Sequence, residues 1–201
     1  MKRGMIIGLS IAGGILLLIL ILVMWGVGSY NKLVNLNEAV NSSWSQVENQ
    51  YQRRADLIPN LVNTVKGYAN FEKGVLTEVT EARAKVSQMN VTKEVLDDPQ
   101  AFAKFQQLQG NLSGALSRLL VTVENYPNLK ANENFLQLQA QLEGTENRIA
   151  VERRNFNEVV QQYNVSIRRF PGSIFAGIFG FRYKEYFKST AGSEAPPKVE
   201  F

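Results

Sequence analysis

The chain has 201 residues, of which 22 are Lys or Arg and 18 are Asp or Glu, and its net charge is +4 at pH 7. It contains neither cysteine nor histidine, which removes disulfides, thiol catalysis, lipid attachment at a lipobox, and the commonest general base and metal ligand. Beyond Lys2 and Arg3 the charge is close to balanced, without the basic excess of a nucleic-acid binder.

No charged residue falls between Arg3 and Lys32. The apolar run Met5 to Val27 inside this stretch is long enough to cross a bilayer as a helix, which takes roughly 20 residues. It is too long for the core of a signal peptide, usually about 7–15 residues. The expected layout is a basic N-terminus (1–4) and a transmembrane anchor (5–28). Lys2 and Arg3 precede the run and Lys32 alone follows closely. The positive-inside rule then places the N-terminus in the cytoplasm and the rest in the periplasm or outside, with the reverse as the alternative. Gly4, Gly8 and Ala12 recur every four residues, a spacing that lets membrane helices approach closely. They are the candidate face for self-association.

From Tyr30 the pattern turns helical. Leu33, Val40 and Val47, and then Trp44 and Tyr51, fall on interleaved seven-residue rows that continue through Ile58, Leu61 and Val65. That seam predicts helices packed side by side, as in a coiled coil. Nothing interrupts it after Val27, so the anchor is expected to run straight into the first bundle helix. Pro59 allows two positions for the first turn. The unbroken register favours a kinked helix turning at 67–74. Comparable helix lengths favour a turn at Arg54 to Asp56, with Pro59 in the next helix's first turn, and this second position is preferred.

Asp97-Asp98-Pro99 reads as a cap followed by proline at the first helical position. An apolar stripe then runs from Phe102 to Tyr126, and Pro127 ends it. The last helix is expected from about Ala131 to Ile167, stopped by Pro171-Gly172. The predicted fold is all-α: one N-terminal transmembrane helix continuing into an antiparallel up-down four-helix bundle (29–170). A short aromatic and basic segment (171–188) and a disordered tail (189–201) follow. Because the fourth helix returns toward the membrane, Phe179, Phe181, Arg182, Tyr183 and Lys184 are candidate membrane contacts. The alternative is that these aromatics pack on the base of the bundle.

Candidate chemistry is sparse. Arg54 lies on the apolar row, and Glu72, Thr145 and Glu152 interrupt others, as register-fixing polar groups do. Glu143, Glu146 and Glu152 line the last helix without the carboxylate and histidine pattern of a di-metal bundle. No phosphate loop, nucleophile elbow or zinc motif is present. A turn at residue 54 would bring Arg53, Arg54, Asp56 and Asn60 to the membrane-distal tip, beside Asn132, Glu133 and Asn134. Together they form a candidate partner surface, with helix capping as the alternative role for the second group.

These stretches also carry a family resemblance. Tyr30 to Val34 after a single membrane helix, Arg53-Arg54-Ala55-Asp56-Leu57-Ile58-Pro59-Asn60-Leu61-Val62, and Val65 to Tyr68 with Glu81 to Arg83 are similar to the LemA family. So are Glu124 to Phe135, Glu143 to Ala150, Tyr163-Asn164, Arg169 to Pro171 and Gly180-Phe181. The chain departs from the family at Phe71, where many relatives carry histidine, which argues against metal or acid–base chemistry there. The resemblance implies a bacterial single-pass membrane protein with an antiparallel helical bundle, and it brings no catalytic residues. It also implies a short N-terminus outside the cytoplasm, opposite to the charge reading.

The function expected is a non-enzymatic, membrane-anchored scaffold or interaction protein of the bacterial envelope, in the cytoplasmic membrane. It needs no cofactor or metal. Its partners would be the lipid bilayer, other envelope proteins and further copies of itself, with no nucleic acid. A self-assembling or membrane-remodelling structural protein is the second reading. A carboxylate-dependent hydrolase is the third.

Overall fold

The computed structural model describes residues 2–68, 71–89 and 93–188. The predicted disordered tail, 189–201, lies outside them. The helices are α1 (Lys2–Lys66), α2 (Lys73–Ser87), α3 (Pro99–Val123), α4 (Pro127–Lys130), α5 (Glu133–Arg168) and α6 (Gly172–Phe179), with a 3-10 turn at Lys93–Asp97. The chain is all-α, as its periodicity predicts.

Helix α1 has 65 residues, so it is about 100 Å long at 1.5 Å per residue. Its large apolar side chains from Ile7 to Val27 are 46–73% exposed. By length and composition this part suits a bilayer crossing. From Leu33 onward the same helix carries the core. Its buried row runs 33, 40, 44, 47, 51, 54, 58, 61, 65, alternating steps of four and three after the first.

The first reversal falls after Lys66, not at Arg54 to Asp56. The preference for a turn at 54 is therefore corrected: α1 passes through Pro59 without stopping. The physical reason lies on α2. Proline has no N–H to give the carbonyl four residues back, which is that of Ala55. Arg83 Nε donates to that carbonyl at 3.0 Å, so the break in the ladder leaves no unsatisfied acceptor. Helix lengths misled because α2 has only 15 residues and α5 has 36. Helix α2 covers the distal half of α1 alone.

Helix α5 runs antiparallel to α1. Trp25 meets Phe170, Trp44 meets Phe156, and Arg54 meets Glu146 in turn. Helix α3 runs with α1, since Phe105 faces Trp44 and Ser113 faces Arg54. Asp98 caps α3, accepting from Gln100 N at 2.8 Å with Pro99 in the first turn. Asn132 caps α5, accepting from Phe135 N at 3.0 Å. Among the described residues, one apolar cluster surrounds Trp44, including Phe102, Phe105 and Phe156. A distal cluster joins Ile58 to Val65 with Val79, Leu112 to Val123, Phe135 and Leu142.

The C-terminal part turns two corners. A side chain on Gly172 would begin 2.1 Å from the Ser166 carbonyl oxygen, so only glycine fits there. Gly180 has φ +76° and closes α6 in the left-handed conformation. Residues 181–188 then climb back along α5 as extended chain. Tyr163 Oη donates to the Arg182 carbonyl at 2.9 Å. The Asn164 amide exchanges two hydrogen bonds with Lys184, and Asn157 does the same with Phe187, all at 2.8–3.0 Å. Seven helical residues and three extended residues both rise about 10 Å. The two amides therefore meet the strap in register, as a neighbouring strand would.

This geometry corrects the proposed membrane-contact set. Lys184 is 5% exposed and its ammonium pairs with Asp97, so it belongs to the fold and is no membrane contact. Phe187 stacks on Trp44 inside the core. Phe179, Arg182 and Tyr183 remain exposed, and Phe181 is half-buried near Tyr30.

Two outcomes follow from these contacts. Arg83→Leu should destabilise the detergent-solubilised chain by about 1–2 kcal/mol by orphaning the Ala55 carbonyl. In a Pro59→Ala background the loss should shrink, because the helix regains its own donor; a double-mutant cycle by chemical unfolding reads this. Burial, assisted by Asp97, pushes the Tyr163 hydroxyl from 10.0 up to about 12. Its folded value is raised, so its contribution is present below pH 10 and is lost as pH rises toward 12. Tyr163→Phe should flatten the fall in stability across that window in alkaline unfolding curves.

Candidate functional site

Arg54 occupies a position in the buried row where an apolar side chain is expected, and it is 1% exposed. Its guanidinium donates to Ser113 Oγ at 2.7 Å and to Glu146 Oε1 at 2.6 Å. It also donates to the side-chain oxygen of Gln109, itself buried. It lies over the Tyr51 ring, 5.1 Å from the centroid, a cation–π geometry. Its Nε is buried with no hydrogen-bond partner among the described residues. Glu146 keeps 41% of its side chain exposed, so the carboxylate retains much of its hydration.

Arg54, Gln109 and Glu146 form a polar layer between the two apolar clusters. The Trp44 cluster ends at Tyr51, Phe105 and Ile149, and the distal one begins at Ile58, Leu112 and Leu142. Burial raises the Tyr51 hydroxyl above its ordinary pKa, against the lowering pull of Arg153 and Arg54. Ser113 accepts from a guanidinium that cannot take a proton, so it is not set up as an activated nucleophile.

The layer opens onto a cleft of about 740 Å³ between α3 and α5, with Tyr51 and Arg54 in its floor. Along α3 the wall combines small residues, Ala103, Gly110, Ser113, Gly114 and Ser117, with Gln106, Gln107 and Gln109. A Cβ added at Gly110 or Gly114 would meet nothing within 4 Å. Each glycine costs about 1 kcal/mol in a helix interior, and no packing contact inside the fold requires either one. Arg153 and Lys188 stand at the rim. With Arg54 they outnumber the single carboxylate of Glu146, so the cleft carries a net positive charge.

The candidate partner surface is not brought together at a tip. Arg54 is removed from it, because it is enclosed in the polar layer. Arg53, Asp56 and Asn60 are exposed along the length of α1, below the first reversal. Asn132 serves as a helix cap, and Glu133 and Asn134 lie in the first turn of α5. The anchor residues Gly4, Gly8 and Ala12 are exposed, and a Cβ at either glycine would meet open space.

The model that describes the LemA family matches residues 43–201. The chain belongs to the LemA family. Among curated relatives, magnetosome proteins MamQ 1 and MamQ 2 of Paramagnetospirillum magneticum are each 25% identical over 184 residues. Magnetosome protein MamQ of Magnetospirillum gryphiswaldense is 25% identical over the same length. Each alignment covers 83% of this chain and 67% of the relative. The family match begins at Ser43, beyond the apolar run, and includes the polar layer, the cleft and the strap. This LemA chain also carries one apolar helix long enough to span a bilayer, consistent with a membrane protein.

Sequence reasoning singled out Arg54 but not its partners on α3, and it missed the Arg83 cap and the paired asparagines. A signal for the last was available: Asn157 and Asn164 stand seven residues apart beside the buried Phe156 and Tyr163. Removing Glu146 leaves a buried cation with neutral acceptors only. Glu146→Ala should therefore cost about 3 kcal/mol. Adding Arg54→Met, which completes the apolar row, should recover most of that loss. Chemical unfolding of the single and double variants checks both outcomes.

Proposed function

We propose that this LemA protein is a non-enzymatic scaffold of the bacterial envelope, held in the cytoplasmic membrane by the first part of α1. It presents the α3–α5 cleft to a partner, with α1, α2, α3 and α5 as an up-down four-helix frame. The observation that carries the reading is the cleft's construction. Two helix-interior glycines that the fold does not need line an open seam over a buried cation. Backbone bared at that spacing allows close approach of another helix. The net positive charge favours a helical segment bearing a carboxylate. The wall from Ala103 to Ser117 is about 20 Å long, enough for some four turns. Lys2 and Arg3 favour a cytoplasmic N-terminus, with the bundle on the opposite side.

Gly110→Leu with Gly114→Leu separates function from stability. Leucine is the better helix former, so the double variant should unfold at a higher temperature than the parent. The same change should remove the discrete heterotypic adduct formed in cells by a photo-crosslinking amino acid at Ser117. The adduct should be absent from the start when the probe stands at Leu136, on the exposed outer face of α5. Adduct that survives the leucine pair would overturn the docking assignment.

A second reading rests on the open face of Gly4, Gly8 and Ala12. Self-association of the anchor through it would give a homo-oligomeric structural protein, read by crosslinking in membranes with and without Gly8→Leu.

A further inference from the structure

The base of the bundle carries an unusual apolar construction. Helix α6 contains no charged residue. It lies beside α1 at the level of Trp25 and Tyr30. Trp25 meets the Phe170 ring at 5.7 Å, and Tyr30 meets the Phe179 ring at 4.6 Å. Phe175 rests on Gly26, where an added Cβ would stand 3.3 Å from its ring. The outer face of α6 leaves Ile174, Ile178 and Phe179 more than half exposed. An apolar patch of this kind does not suit a water-facing surface.

Between the two helices lies a trough of about 450 Å³, walled by Val23, Gly26, Val27 and Tyr30 of α1 and by Phe175 and Phe179 of α6. Its lower wall continues to Ile19 and Leu22, deep in the apolar run. It therefore opens toward the hydrocarbon side of the membrane boundary. Above it basic residues predominate. Lys32, Arg168, Arg169 and Arg182 lie at this end of the fold. No acidic residue occurs in residues 1–37 or 159–184. Of the acidic groups near this end, Asp97 is paired with Lys184, and Glu185 lies near Tyr183 together with Arg168.

We propose that this trough is a lipid site. One acyl chain of a membrane phospholipid lies between the α1 stripe and the two phenylalanines of α6, with an anionic headgroup among the arginines above. A chain in the trough touches two protein walls, whereas a lipid elsewhere around α1 touches one. That difference distinguishes a bound lipid from the fluid shell around any membrane helix. The inference rests on the membrane-spanning reading of α1.

The test uses the full chain in vesicles of phosphatidylethanolamine and phosphatidylglycerol, doped with a phospholipid carrying a diazirine in its acyl chain. Resistance to alkaline carbonate extraction is measured first. Failure there overturns the membrane-spanning reading, and is seen before any lipid labelling. After irradiation, mass spectrometry should find adducts on Val23, Val27, Phe175 and Phe179 several-fold above those on Ile21 and Met24, which face away at similar depth. Gly26→Leu fills the trough and displaces Phe175, and should bring the labelling down to that background while carbonate resistance persists. A phosphatidylglycerol probe should label several-fold more than a phosphatidylcholine probe, a preference lost in Arg168→Gln/Arg169→Gln. Even labelling around α1, unchanged by Gly26→Leu, would overturn the site. Equal labelling by the two probes would overturn its headgroup selectivity.

Discussion

Arg54 is a permanent cation placed in a row of apolar side chains, and the surrounding helices are arranged to satisfy it. Its guanidinium reaches α3 through Gln109 and Ser113 and α5 through Glu146. One residue on, the Ala55 carbonyl accepts from Arg83 of α2. A single level of α1 is thus tied by polar bonds to α2, α3 and α5, the helices around it at that height. Apolar side chains alone would tolerate sliding by a turn, because one leucine packs nearly as well as the next. A guanidinium with fixed donors does not. Such a layer favours one register over its neighbours, and it adds little net stability once desolvation is counted. It also divides the core, so that the Trp44 cluster and the distal cluster form on either side of a polar partition.

The same residue accounts for the cleft. If α3 and α5 closed on each other, Glu146 would be enclosed with Arg54 and both charges would lose their water. With the seam open, the carboxylate stays hydrated while the cation is held. The small side chains of α3 prolong that opening over several turns. Membership of the LemA family and likeness to MamQ at 25% identity attach to the part of the chain that builds these features.

The helices, their caps and the apolar run were legible because each follows from local pattern: 3.5-residue spacing, Asp98 before Pro99, Asn132 before α5. The unbroken row through Ile58 and Leu61 also announced that α1 continues past Pro59. Equal helix lengths were a weaker guide, since nothing obliges α2 to match α1. What sequence could not supply was the identity of long-range partners. Arg83 lies 28 residues from the carbonyl it caps, and Glu146 lies 92 from Arg54. Neither pairing leaves a periodic trace. Lys184 misled for a related reason: its place in an aromatic and basic segment suits a membrane interface, yet its backbone pairs with Asn164 of α5 and its ammonium with Asp97. Those partners appear only when the chain reverses at Gly172 and Gly180.

Because α1 has no joint between its exposed apolar run and its buried row, it acts as a gauge. Arg54 stands about 40 Å above Val27 along the helix axis, and the polar layer fixes α3 and α5 at that height. A hinged linker would let the bundle sweep a volume above the membrane, but a continuous helix confines it to one elevation. On the proposed docking reading, a partner for the cleft must present itself near that elevation, which would make the length of α1 a selectivity filter. An insertion of one heptad between Val27 and Leu33 would keep the contacts made from Leu33 upward, separate Trp25 and Gly26 from Phe170 and Phe175, and raise the cleft by about 10 Å.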